Sequence, residues 1–154
     1  MMPKPGDAAP SFSLKTDTND TLSLQSCKGK KVVLFFYPKD DTPGCTKESC
    51  EFRDLAGEFD KKGAIVLGIS PDGTDSHKAF KSKFALNFPL LVDTEHKIAD
   101  AYGVWGEQEW QGKKYMGIAR TTFVIDAQGK IAKVYANVNP VGHANQVLND
   151  VGNV

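Results

Sequence analysis

Two of the three cysteines in this 154-residue chain stand five positions apart, in Pro38-Lys39-Asp40-Asp41-Thr42-Pro43-Gly44-Cys45-Thr46-Lys47-Glu48-Ser49-Cys50. A thiol becomes a nucleophile where its surroundings favour the thiolate. A helix N-terminus does this through unpaired N–H groups and the positive end of the helix dipole. Thr42 suits an N-cap, Pro43 the first helical position, and Gly44 a place where a neighbour comes close to the backbone. Cys45 then falls in the first turn. Phe52, Leu55, Ala56 and Phe59 recur at i, i+3, i+4 and i+7, so the helix runs to about Phe59. Cys45, seven residues before Phe52, shares that apolar stripe and faces a pocket, not open solvent.

Cys50 is a less obvious partner. In an intact helix five residues turn the chain by about 140° and separate the Cα atoms by about 8–9 Å, whereas a disulfide needs less than about 7 Å. A Cys45–Cys50 bond therefore requires the first turns to unwind, which suits a redox couple and not a structural staple. The alternative is a packed, inert Cys50 and one-cysteine chemistry that depends on an external thiol. Glu48, one turn after Cys45, opposes a thiolate unless something pairs with it; otherwise it is a solvated surface residue. Cys27 lies in the connector Gln25-Ser26-Cys27-Lys28-Gly29-Lys30 and reads as an incidental thiol, with a backup resolving role as the alternative.

The elements that position these residues follow from periodicity. Val32-Val33-Leu34-Phe35-Phe36-Tyr37, stopped by Pro38, predicts a central strand buried on both faces. Ala64–Ser70 predicts a second, and strand, helix, strand implies a parallel pair with a right-handed crossover. Upstream, Ser11–Leu14 and Thr21–Leu24 alternate around Asp17–Asp20 as a small hairpin capping an edge. Downstream, Thr74 caps a helix with His77, Phe80 and Phe84 on one face; Leu90–Val92 is a short strand, and Thr94 caps a helix through Ile98, Ala99 and Tyr102. Gly103–Lys114, polar with Trp105 and Trp110 and without a period, reads as a loop or insertion. Tyr115–Ile118 and Thr121–Ile125 are strands, and the Asp126–Gly129 turn leads into Lys130–Tyr135. Val141, Ala144, Val147, Leu148 and Val151 mark a final helix. An early βαβ unit with a late hairpin and helix gives an α/β protein with a mixed central sheet, one domain over 1–154.

Nineteen basic residues balance nineteen acidic ones without a basic run, so neither nucleic acid nor a membrane surface is expected as a partner. No stretch approaches the roughly 20 apolar residues of a membrane span, and the N-terminus lacks a signal-peptide core, so a cytoplasmic location is expected. His77, His96 and His143 do not stand at metal-ligand spacing with Cys45 or Cys50. Phosphate-loop, dinucleotide and haem motifs are absent, and no cofactor or metal is expected. Cys-x-x-Cys, the usual signature of a disulfide reductase, is also absent, as is the short cysteine spacing of a copper-delivery module.

Pro38-x-x-x-Thr42-x-x-Cys45 resembles the peroxiredoxin signature, and Arg120 in Arg-Thr-Thr-Phe-Val-Ile-Asp resembles the family's second landmark. The Cys-x4-Cys pair is similar to the bacterioferritin comigratory protein, or peroxiredoxin Q, subfamily. The likeness runs from Gly6-Asp7-Ala8-Ala9-Pro10-Ser11-Phe12 to the last helix. It implies a thioredoxin-like fold and a monomeric thiol peroxidase for hydrogen peroxide and alkyl hydroperoxides, recycled by thioredoxin. By the same resemblance Cys45 attacks and Cys50 resolves. Thr42 bonds peroxide and thiolate, and the N–H groups of Gly44 and Cys45 contact the oxygens. Arg120 supplies charge, Pro38 shields the sulfur and Glu48 orients Arg120. Tyr37 would touch the site from the strand end. One departure stands out: some subfamily members carry the resolver a helix later, and Ser76–Phe84 holds no cysteine.

Overall fold

The computed structural model describes residues 2–154. β1 (Ser13–Lys15) and β2 (Thr21–Ser23) pair antiparallel, followed by a 3-10 turn at Gln25–Cys27. Then come β3 (Lys31–Phe36), α1 (Pro43–Lys61), β4 (Ala64–Ser70), α2 (Thr74–Phe84), β5 (Leu90–Val92) and α3 (Lys97–Ala101). The chain ends with β6 (Trp105–Trp110), β7 (Lys113–Ile118), β8 (Thr121–Ile125), β9 (Ile131–Tyr135) and α4 (His143–Val151). Five strands form the main sheet in the order β5-β4-β3-β8-β9; β3 runs parallel to β4 and antiparallel to β8. The first hairpin bridges to the edge strand β5 through Thr16 and Leu91, as its alternation predicts.

The continuous apolar run of β3 is explained by two cores. Val33, Phe35 and Tyr37 pack on one face with Cys45, Phe52 and Phe59 of α1 and Val147 and Val151 of α4. Val32, Leu34 and Phe36 pack on the other with Tyr102, Phe123 and Ile125. A strand buried on both faces cannot alternate with polar residues. Phe35 stacks on Phe52 at 4.7 Å, which clamps α1 to the strand end that feeds it.

Four expectations are corrected. Gly103–Lys114 is not a loop: it contains all of β6 and the start of β7, paired from Trp105 with Ile118 to Trp110 with Lys113. Trp110, Tyr115 and Met116 stay exposed, so little buried surface imposes apolar alternation. The turn is made by Gln111 (φ 49) and Gly112 (φ 77), both left-handed as a two-residue hairpin turn requires. Gly73, not Thr74, is the N-cap of α2. α3 is served by Asp93 instead of Thr94, its carboxylate accepting from the amides of Ile98 (3.2 Å) and Ala99 (3.0 Å). Val141 lies outside α4 and is exposed, because Gly142 (φ 81) turns the chain into the helix after it. Among the described residues no helix is long and apolar enough to cross a membrane.

Candidate active site

Between β3 and α1 the chain must reverse within a few residues. Asp41 takes a left-handed conformation (φ 58), Thr42 is extended (φ −98, ψ 155) at the N-cap, and Pro43 opens the helix. Proline has no N–H to leave unpaired, so the amides of Gly44 and Cys45 are the donors that the helix start presents. Thr42 occupies the cap position without capping. Its hydroxyl donates to the Lys39 carbonyl at 2.9 Å, so its one proton does not go to the Cys45 sulfur, where the family resemblance would place it, and the oxygen's lone pairs are left to accept from another donor. Pro38, half-buried, stands at the end of the strand.

Cys45 is 1% exposed. Arg120, in the bend before β8, donates from Nη2 to Cys45 Sγ at 3.2 Å and from Nη1 to Glu48 Oε1 at 2.7 Å. The guanidinium thus joins thiol and carboxylate with two of its five donors, a use that lysine cannot reproduce. Gly44 also has a reason to be glycine: an added Cβ would lie 3.1 Å from Arg120 Nη2 and 3.3 Å from Pro140 Cγ. The chain leading into α4 therefore closes on the site from a side that the sequence does not reveal. Gly142 N–H, donating to Glu51 Oε1 at 2.8 Å, fixes that approach to α1.

Glu48 is fully buried, which removes the surface alternative. Burial pushes its carboxyl up to about 7, against the pull of Arg120 and with a smaller push from Glu51. Its Oε2 has no hydrogen-bond partner among the described residues. Burial works against the Arg120 charge, but Cys45 and Glu48 outweigh it and hold the guanidinium above its ordinary value.

All three cysteines are free thiols. Cys50, half-buried on α1, keeps the helical separation from Cys45 that forbids a bond without unwinding. Cys27 packs in the second core, across the sheet from Cys45. Its thiol donates to the Ser23 carbonyl at 3.5 Å, and burial pushes it up, as suits an inert sulfur.

Tyr37 is buried, and its hydroxyl donates to Asp40 Oδ1 at 2.6 Å, so its bond goes to the loop before the helix. There it joins a cluster that sequence spacing hides. Asp40, Asp72 and His77 bring donor atoms within 4.8 Å of one another, and each is already engaged by protein groups. His143 meets Thr122 Oγ1 through Nε2 at 2.8 Å and sets its ring edge-on to Phe52.

Residues 5–134 match the model of the AhpC/TSA family. Peroxiredoxin Bcp of Bacillus subtilis is 47% identical over 143 residues, 93% of this chain and 91% of that protein. Among solved structures, a cysteine-to-serine mutant of Xylella fastidiosa PrxQ superposes with a TM-score of 0.93 at 32% identity, covering 98% of this chain and 96% of the other. A Xanthomonas campestris bacterioferritin comigratory protein, solved for its alkyl peroxide reduction activity as trapped intermediate and ligand complexes, gives 0.86 at 36% identity, covering 91% and 89%.

Proposed function

The chain belongs to the AhpC/TSA family, and from that premise we propose the cycle that its own residues carry out. The protein is a thiol-dependent peroxidase with the thioredoxin-like fold of its relatives. The observation that carries the assignment of roles is the 3.2 Å bond from Arg120 to Cys45 at the first turn of α1. It sets a fixed positive charge beside a sulfur that also faces a helix N-terminus.

The Cys45 thiolate attacks one peroxide oxygen. The O–O bond breaks, the sulfur keeps one oxygen as a sulfenic acid, and the other leaves as hydroxide or alkoxide and takes up a proton to become water or alcohol. Arg120 and the amides of Gly44 and Cys45 stabilise charge on the oxygens as it moves from sulfur to the leaving group. Thr42 accepts a hydrogen bond from the peroxide, and Pro38 limits access of water. Glu48 acts through Arg120, fixing the plane of the guanidinium. Tyr37 braces the loop beneath.

The first turns of α1 then unwind. Cys50 attacks the sulfenic sulfur, a disulfide forms and water leaves. The strained Cys45–Cys50 bond is reduced by exchange with a dithiol protein, which we take to be thioredoxin. Hydrogen peroxide and alkyl hydroperoxides are the proposed substrates. We place the cycle in a cytoplasmic monomer working as one domain over 1–154, without cofactor, metal, nucleic acid or membrane. Peroxide consumption coupled to thioredoxin, its reductase and NADPH tests the reading: turnover is expected for the wild type and none for Cys45→Ser. Undiminished turnover in that variant would remove Cys45 from the reaction.

A further inference from the structure

The loop that delivers Cys45 is held by a residue that the reaction does not touch. Asp40, two positions before the cap of α1, has a side chain only 3% exposed although it sits in a loop. Its Oδ1 accepts from Tyr37, and its Oδ2 accepts from Ser76 Oγ at 2.8 Å and faces His77 Nδ1 at 2.7 Å. Its own amide donates to Asp72 Oδ2 at 2.8 Å, an oxygen that also accepts from Ser70. On the far side of the ring, His77 Nε2 lies 2.8 Å from the Leu91 carbonyl. A carbonyl only accepts, so Nε2 carries a proton. A carboxylate at Nδ1 then calls for a second proton between the two groups.

The result is a buried imidazolium–carboxylate pair linking three places: the loop before the nucleophile, the first turn of α2, and β5. Asp41 adds an exposed tie to Lys83 of the same helix at 2.9 Å. Among the described residues, the buried hydrogen bonds that hold the segment upstream of α1 run through this loop. They are also the turns that must unwind before Cys45 can reach Cys50.

We propose that His77 is a positioning residue: its bond to Asp40 latches the loop 38–42 against α2 and thereby sets how readily the first turns of α1 open. The closed latch favours the geometry that attacks peroxide, and the open latch favours the disulfide. This rests on the Cys45–Cys50 cycle proposed above. Among the described residues the titratable groups facing the ring are Asp40 from the loop and Asp72 after β4, with Tyr37 of the β3 end behind Asp40; β5 contributes the Leu91 carbonyl. Burial works against the imidazolium, but Asp40, Leu91 and Asp72 outweigh it and hold His77 above its ordinary 6.5. The latch is therefore complete below about 6.5 and is lost as pH rises through the higher folded value.

Hydrogen exchange of the reduced protein, followed by mass spectrometry, tests the latch without any oxidant. His77→Gln and Asp40→Asn should each speed exchange in residues 39–50 by about tenfold, a loss of about 1.4 kcal/mol. Exchange in α4 should stay unchanged. The double variant should open by less than the product of the two single effects, because the Asp40–His77 bond that they share can be lost only once. After correction for intrinsic rates, the excess should shrink towards alkaline pH, where the wild type loses its own latch. Wild-type exchange in His77→Gln, or effects that multiply in the double variant, would overturn the proposal. If His77→Gln does not fold, Ser76→Ala must open the same segment by a smaller factor, and an unchanged pattern there refutes it equally. Peroxide treatment then separates the two readings. A latch variant should shift Cys45 from sulfinic acid towards the Cys45–Cys50 disulfide. A wild type that never forms that bond removes Cys50 as resolver while the exchange data still decide the latch.

Discussion

Replacing Arg120 with methionine keeps the aliphatic stem and deletes both bonds that the guanidinium makes. At Cys45 the loss is a charge-assisted hydrogen bond of 3.2 Å, of a class that contributes about 1.5–3 kcal/mol, or about 10- to 150-fold in an equilibrium or rate. Alkylation of Cys45 by iodoacetamide at pH 7 should slow by that factor. Peroxide reduction should slow further, by at least about 100-fold, because Arg120 also stabilises the oxygens as the bond between them breaks. At Glu48 the loss is the only hydrogen-bond partner, among the described residues, of a fully buried carboxyl. Its midpoint already lies at about 7 with Arg120 present, so the carboxyl will take up a proton and avoid most of the about 3–5 kcal/mol that a stranded buried charge costs. Stability should therefore fall less at pH 6 than at pH 8. The double variant Arg120→Met, Glu48→Gln should recover that stability without recovering the rate. Stopped-flow peroxide kinetics with urea melts at the two pH values measure all of this. A rate within about threefold of wild type would refute the role assigned to Arg120.

Gly44→Ala should separate activity from stability. The new methyl displaces Arg120, at 3.1 Å, and slows peroxide reduction, while the gain in helix propensity offsets strain by up to about 1 kcal/mol; steady-state kinetics and thermal melts read the two effects. For Glu48 the fold binds the proton more tightly than the unfolded chain, with a midpoint raised from 4.5 to about 7. Stability should then decline across that window by about 3 kcal/mol on account of Glu48, and Glu48→Gln should remove that share of the decline, as urea midpoints at pH 5 and pH 8 will show. Cys50→Ser should still react with the first equivalent of peroxide but stop as a sulfenic or sulfinic acid on Cys45, detectable by intact mass, with thioredoxin-coupled turnover lost.

What the sequence made legible was what depends on neighbours along the chain. Thr42, Pro43 and the stripe from Cys45 to Phe59 locate a helix start by local rules, and the helix begins at Pro43. The unbroken apolar run of β3 announced burial on two faces. Arg120 had no such local signal, since a lone arginine before a strand does not reveal that pairing of β8 with β3 brings it to α1; only the family resemblance pointed to it. The Asp40–His77 bond joins positions 37 apart with no motif between them. Gly44 marks a place of close approach in the sequence, but the atoms that approach, from Arg120 and Pro140, come from distant segments. The β6–β7 hairpin is silent in the sequence because its largely exposed surface erases the alternation that would mark a strand.

The central claim is that Cys45 is oxidised first and Cys50 captures it within the same chain after α1 opens. Fully reduced protein should be given one equivalent of hydrogen peroxide and its disulfides mapped by mass spectrometry, with Cys45→Ser as control. The account predicts an intrachain Cys45–Cys50 bond that is absent from the control. A lasting sulfenic acid on Cys45, or a bond from Cys45 to Cys27 or to another chain, would contradict it.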